Sequence, residues 1–145
     1  MGGVHGFPKE KTAAKIQELS QQLKLGEVLS RRAGKLSGGW QRRLSIAMAL
    51  IGEPKILFLD EPTLGLDVLA RRELWSVISS LHGQVTLILT THYLEEAEAL
   101  SDRIGIMAGG RLRALGTAAG LCAQAGKDTF EDAFVALATG EKEGV

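Results

Sequence analysis

Apolar residues first recur at helical spacing at Ile16, Leu19 and Leu23, set among charged and amide residues. That pattern predicts an amphipathic helix from Lys9 to about Leu25, broken by Gly26 and followed by a short turn of Glu27-Val28-Leu29. Ser37 is a good N-cap residue for a second helix, whose buried stripe reads as Leu44, Ala47, Met48 and Ile51. Glu53-Pro54 ends it and resets the chain. Ile56 to Leu59 is a continuous apolar run too short for a helix, the pattern of a parallel strand buried on both faces. A third helix from Val68 to Leu81 carries Ala70, Leu74, Val77, Ile78 and Leu81. After Gly83 comes a second buried strand, Val85 to Leu89, ending in Thr90-Thr91-His92.

A short helix around Leu94 to Leu100 leads to Ile104-Gly105-Ile106-Met107. Gly109-Gly110 then reads as a hairpin turn into Arg111 to Leu115. The tail offers one more helix, with Phe130, Phe134 and Leu137 on one side. Alternating strands and helices with continuous apolar strands predict an α/β fold. Its parallel sheet would be covered on both faces, with the hairpin as an antiparallel edge.

The 145 residues suit one domain with a sizeable core, and an apolar content of 45% is ordinary for a globular chain. Net charge is zero, and the pairs Arg31-Arg32, Arg42-Arg43 and Arg71-Arg72 are scattered, so nucleic acid is not an expected partner. Cys122 is the single cysteine, which excludes an intramolecular disulfide and suits a reducing compartment. No apolar run approaches the roughly 18 residues of a membrane-spanning helix. Met1 to Gly6 has neither the basic nor the apolar region of a signal peptide. The expectation is a cytoplasmic protein that reaches a membrane only through another polypeptide.

Ser37, Gly38 and Gly39 stand at a helix start. Glycine costs about 1 kcal/mol relative to alanine within a helix, so two of them need a reason. One is a tight entry turn. Another is that missing side chains let a phosphate approach the free N–H groups and the positive end of the helix dipole, with the Ser37 hydroxyl as a further donor. Asp60 and Glu61 follow a buried strand, at the end where ligands collect in open α/β sheets. They are either its polar terminus or a working pair. In the second case Asp60 holds Mg²⁺ while Glu61 orients and polarises an attacking water. His92 repeats the strand-end position and suits a γ-phosphate contact. His5 and His82 read as ordinary surface or core residues. Asp67 reads as the N-cap of the helix beginning at Val68. One cysteine and three dispersed histidines offer no zinc spacing, and there is no Gly-x-Ser-x-Gly elbow.

In order and spacing these motifs resemble the ATPase domain of ABC transporters, from about Lys9 to Leu137. Leu36 to Trp40, with Gln41 next, resembles the ABC signature. Ile56 to Glu61 resembles the Walker B strand with its glutamate, Gly65 to Asp67 the D-loop, and His92 the switch-histidine. The hairpin and the tail Asp128 to Phe134 look most like the ATPases of bacterial drug or polysaccharide exporters. The resemblance implies a partial P-loop NTPase fold: helical subdomain at 1–52, catalytic α/β portion at 53–116 and helical tail at 117–145. It also implies a head-to-tail pair of ATPase domains. Leu36, Ser37, Gly38, Gly39, Trp40, Gln41 and Asp67 would then face ATP across the dimer interface, while Asp60 with Mg²⁺, Glu61 and His92 serve the domain's own nucleotide. Membrane-spanning subunits would be the other partners, placing the chain at the inner face of the cell membrane.

Two departures stand out. Trp40 occupies a position where many members carry glutamine, a variant expected to be tolerated because the backbone and Ser37 would supply the phosphate contacts. A P-loop requires Gly-x-x-x-x-Gly-Lys-Ser/Thr. The only Gly-Lys pairs, Gly34-Lys35 and Gly126-Lys127, are followed by Leu36 and Asp128. The glutamine loop is missing too. The leading expectation is therefore the C-terminal portion of an exporter ATPase, a partial chain that does not hydrolyse ATP by itself. The alternatives are a non-catalytic pairing module or decayed fragment lending its signature to a P-loop-bearing partner, and a soluble ATPase of DNA repair or translation.

Overall fold

A computed structural model describes residues 6–140, so the glycine-rich start, the reading of His5 and the last five residues lie outside the described residues. Contacts divide the chain into two units, Met1–Thr90 and Thr91–Val145.

In the first unit, α1 spans Lys9–Gln22, α2 Gly38–Leu50, β1 Ile56–Asp60, α3 Val68–Ser80 and β2 Thr86–Thr90. Single 3-10 turns at Gly26–Val28 and Ala33–Lys35 join α1 to α2. Helix α1 ends before Gly26. Lys24 takes the left-handed conformation (φ 55°). The Leu25 N–H then bonds to the Ser20 carbonyl at 2.8 Å and the Lys24 N–H to that of Gln21 at 3.2 Å. These reversed bonds satisfy carbonyls that the helix end leaves open. Leu19 and Leu23 are buried, whereas Ile16 is half-exposed.

Helix α2 buries a neighbouring stripe to the expected one. Arg43, Ile46, Ala47, Leu50 and Ile51 point inward, while Met48 is exposed and Leu44 only partly buried. The two stripes share Ala47 and Ile51. Arg43 selects between them because it finds partners on α3, and a charge at an inward position conceals that face from hydrophobic periodicity. Helix α3 follows expectation: Leu74, Val77, Ile78 and Leu81 are at most 2% exposed. Full burial of such side chains is worth about 1.5–3 kcal/mol each.

β1 and β2 form a parallel pair in register, Ile56 opposite Thr86 and Asp60 opposite Thr90. The expected burial on both faces is not found. Side chains alternate between faces of a strand, and only Leu57 and Leu59 of β1 are buried. Phe58 is 71% exposed, with Ile56 and Ile88 open beside it. No residue of β2 is buried. Among the described residues, one face of this pair is therefore uncovered.

In the second unit, α4 spans Leu94–Leu100, β3 Ile104–Ala108, β4 Arg111–Gly116, α5 Ala118–Ala125 and α6 Phe130–Thr139. Both hairpin glycines have positive φ, 58° and 69°, as a two-residue turn with the right twist demands. The hairpin forms a sheet of its own, not an edge of the parallel pair. The tail holds two helices where one was expected. Thr117 caps α5 by accepting the Gly120 N–H at 3.0 Å, and Thr129 caps α6 by accepting the Asp132 N–H at 3.2 Å. Ile104, Ile106, Ala114, Leu121 and Phe130 form this unit's core, with Phe134 and Leu137 partly buried against it. The small, alanine-rich composition of α5 supplies Leu121 as its one buried anchor, which gave little periodic signal.

Candidate functional site

The segment Leu36–Gln41 enters α2 through Ser37, which stands at the N-cap in an extended conformation without capping through its side chain. The first intrahelical bond runs from the Gln41 N–H to the Ser37 carbonyl at 2.9 Å. The N–H groups ahead of it lie where a helix offers donors to an anion. The Gln41 side chain reaches back and donates to the Leu36 carbonyl at 3.1 Å, tying the loop to the helix it precedes.

Gly38 and Gly39 have a packing role that sequence reasoning missed. A Cβ on Gly38 would lie 3.1 Å from Leu66 Cδ2, and one on Gly39 would lie 3.3 Å from Ala70 Cβ. The start of α2 thus nests against the loop leading into α3. Asp67 caps α3 as expected, accepting the Ala70 N–H at 2.9 Å. The structure brings Gly38 and Gly39 together with the Leu66–Ala70 segment that contains Asp67. Trp40 lies over Arg43, whose guanidinium carbon is 3.9 Å from the ring centre.

Asp60 closes β1 and Glu61 follows in the left-handed conformation, φ 46°. Such a backbone is uncommon for a residue other than glycine and costs on the order of 1–3 kcal/mol. Thr90 meets both acids. Its hydroxyl donates to Asp60 Oδ1 at 2.5 Å, and the Glu61 N–H points to Thr90 Oγ1 at 3.2 Å and to the Thr90 carbonyl at 3.0 Å. The sequence shows Thr90 only as a polar end to an apolar strand; its direct pairing with Asp60 comes from the register.

Asp60 lines a cleft of about 190 Å³ between α2 and β1, together with Arg42, Ser45, Ala49, Leu57 and Phe58. Among the described residues no group of three or more His, Cys, Asp or Glu is placed to hold a metal. A lone carboxylate fits Mg²⁺, which is usually held by one or two carboxylates with phosphate and water oxygens. His92 belongs to the second unit, where it is exposed and its ring lies 4.2 Å from that of Tyr93. The Tyr93 N–H bonds to Thr91 Oγ1 at 3.0 Å, shaping the turn that carries the histidine. Among the described residues no helix is long and apolar enough to cross a membrane.

The family model described as "ABC transporter" matches residues 5–64. ABC transporter A family member 2 of Arabidopsis thaliana is 46% identical over 133 residues, 92% of this chain and 13% of that protein. Daunorubicin resistance ATP-binding protein DrrA3 of Streptomyces coeruleorubidus is 43% identical over 131 residues, 90% of this chain and 42% of that protein. The chain thus spans less than half the length of these curated relatives. A solved ATP-binding subunit of an ABC transporter matches with a TM-score of 0.72 and 28% identity, over 91% of this chain and 56% of that one. A solved ATP-binding cassette of an ABC transporter matches at 0.70 and 26%, over 90% and 48%. With 43–46% identity to these curated relatives over at least 90% of its length, the chain belongs to the family of ABC transporter ATPase domains.

Proposed function

We propose that the chain is the signature-bearing and Walker B portion of an exporter's ATPase, working in a head-to-tail pair of ATPase domains beneath membrane-spanning subunits. The observation that carries this reading is the pair of acids fixed by Thr90 at the C-terminal end of a parallel strand. Leu36 to Gln41 and Asp67 would face the nucleotide of the paired domain. Asp60 would hold Mg²⁺ with ATP's phosphates, the metal supplying charge neutralisation when bound. Glu61 would take a proton from the attacking water, and His92 would contact the γ-phosphate. The name of DrrA3, a drug-resistance protein, supports export as the direction. The domain bounds 1–52, 53–116 and 117–145 remain part of this reading, as does a position at the inner face of the membrane.

No Gly-x-x-x-x-Gly-Lys-Ser/Thr occurs in these 145 residues, so the phosphate cradle of the pair would come from outside them. ATP hydrolysis and ATP-dependent pairing, measured on the assembled transporter, test the reading through two variants. Ser37→Arg should block pairing while ATP affinity of the separate domain stays unchanged. Equal loss of both would place Ser37 on its own domain's nucleotide and overturn the head-to-tail assignment. Pairing that persists with hydrolysis indifferent to Glu61→Gln would make this chain a pairing module rather than a catalytic one.

A further inference from the structure

We propose that Thr90 is the positioning residue that sets both strand-end acids, orienting the Asp60 carboxylate and holding the Glu61 backbone with a single hydroxyl. The inference deepens the reading above and rests on its assignment of Asp60 and Glu61.

Thr90 stands directly opposite Asp60 in the parallel register, on the neighbouring strand. Its hydroxyl has one proton and two lone pairs, and both functions are used. The proton goes to Asp60 Oδ1 at 2.5 Å. The oxygen receives the Glu61 N–H at 3.2 Å, shared with the Thr90 carbonyl at 3.0 Å. Anchoring one oxygen of Asp60 fixes the carboxylate's rotamer and directs its other oxygen. Receiving the Glu61 N–H orients the peptide between the two acids, from which Glu61 departs in the left-handed conformation, φ 46°. That conformation is intrinsically unfavourable and persists only where surrounding bonds over-determine it. One hydroxyl thus touches both acids and ties the Asp60 carboxylate and the Glu61 peptide to β2. Valine would fill the same volume and keep the carbonyl bond while abolishing both hydroxyl interactions.

The test is amide hydrogen exchange and the ¹H–¹⁵N resonance of Glu61 in the full chain, compared among the native protein, Thr90→Val and Thr90→Ser. The amides of Leu57 and Leu87 report whether the parallel pair is intact. Thr90→Val should speed Glu61 exchange by about five- to tenfold, the equivalent of one lost hydrogen bond. Thr90→Ser should restore it to within about twofold. An unchanged Glu61 resonance and exchange rate in Thr90→Val overturns the proposal, as does failure of serine to restore them. Should the valine variant not fold, Thr90→Ala, which also lacks the hydroxyl, must speed Glu61 exchange in the same way; an unchanged rate there is equally decisive. Broadening of the Asp60 amide by Mn²⁺ alone, and its loss in Asp60→Asn, tests the metal assignment separately. That assignment can fail while the Glu61 amide still decides the role of Thr90.

Discussion

Arg43 of α2 and Glu73 of α3 are joined by a 2.7 Å bond between Nη2 and Oε2, with the arginine side chain 5% exposed and the glutamate 59%. The bond is therefore unequal. The cation is desolvated and the anion is largely in water, so the pair matters chiefly as the satisfaction of Arg43. Even so, Arg43 Nε is buried without a hydrogen-bond partner, and the face of the guanidinium rests on Trp40. Arg43→Ala should cost about 2–3 kcal/mol, combining a charged hydrogen bond with the packing of its stem. Glu73→Gln should cost about 1 kcal/mol. Chemical denaturation of the purified chain measures both; equal losses would mean that the glutamate is far less solvated than its exposure indicates.

Trp40, the departure from the family's usual glutamine, has a stabilising role of its own in this arrangement. Trp40→Gln should lower stability by about 0.5–2 kcal/mol, the range for a ring stacked on a partly desolvated cation. The loss should shrink in an Arg43→Met background, because the contact it removes is then already gone. A double-mutant cycle by thermal unfolding reads the coupling directly.

Gly38 and Gly39 should respond differently to alanine. At Gly39 the new methyl would meet Ala70 Cβ at 3.3 Å, an atom fixed to the backbone of α3, so the helices must separate. At Gly38 it would meet the mobile end of Leu66 at 3.1 Å, which can turn aside. Gly39→Ala should destabilise by about 1 kcal/mol and be rescued by Ala70→Gly. Gly38→Ala should leave stability within about 0.5 kcal/mol. Unfolding midpoints of the three variants decide the matter.

Much of this was legible beforehand. The helix entry at Ser37, the strand ending in Asp60, the Asp67 cap and the Gly109-Gly110 turn are each written in residues whose local chemistry has few other uses. Other features depended on contacts distant in sequence. The inward face of α2 was misread because Arg43 looks like a surface residue until Glu73 and Trp40 are seen beside it. Helix α1 ends at Gln22, short of Gly26, since backbone bonds around a left-handed Lys24 close it in a way that composition does not announce. Thr90 acquired its importance only from the strand register. The expectation of two buried faces for β1 assumed a complete sheet around it.

Glu61 should illustrate a conflict between stability and chemistry. Its left-handed backbone is unfavourable for a side chain bearing a Cβ, so Glu61→Gly should stabilise the chain by about 0.5–1 kcal/mol. Glu61→Gln keeps the backbone cost, so its stability change reports only the interactions of the carboxylate. In the assembled transporter both variants should lower turnover by about 10²–10⁴-fold, because each removes the proposed general base. Unfolding curves and ATP hydrolysis rates separate the two effects, and a glycine variant no more stable than Glu61→Ala would show that the conformation carries no strain.

Adjacent residues of β1 provide the sharpest contrast between its faces. Leu57 is 7% exposed and Phe58 71%. Leu57→Ala removes buried methyl groups and leaves a cavity, and should cost about 2–5 kcal/mol. Phe58→Ser removes a larger side chain, yet should change stability by no more than about 0.5 kcal/mol, since little of that ring is withdrawn from water. The same variant should reduce self-association, because Ile56, Phe58 and Ile88 together present an open apolar face beside unpaired strand edges. Sedimentation velocity alongside denaturation tests both halves. A large stability loss on Phe58→Ser would mean that the ring is covered in solution and that the open face is closed by a second copy of the chain.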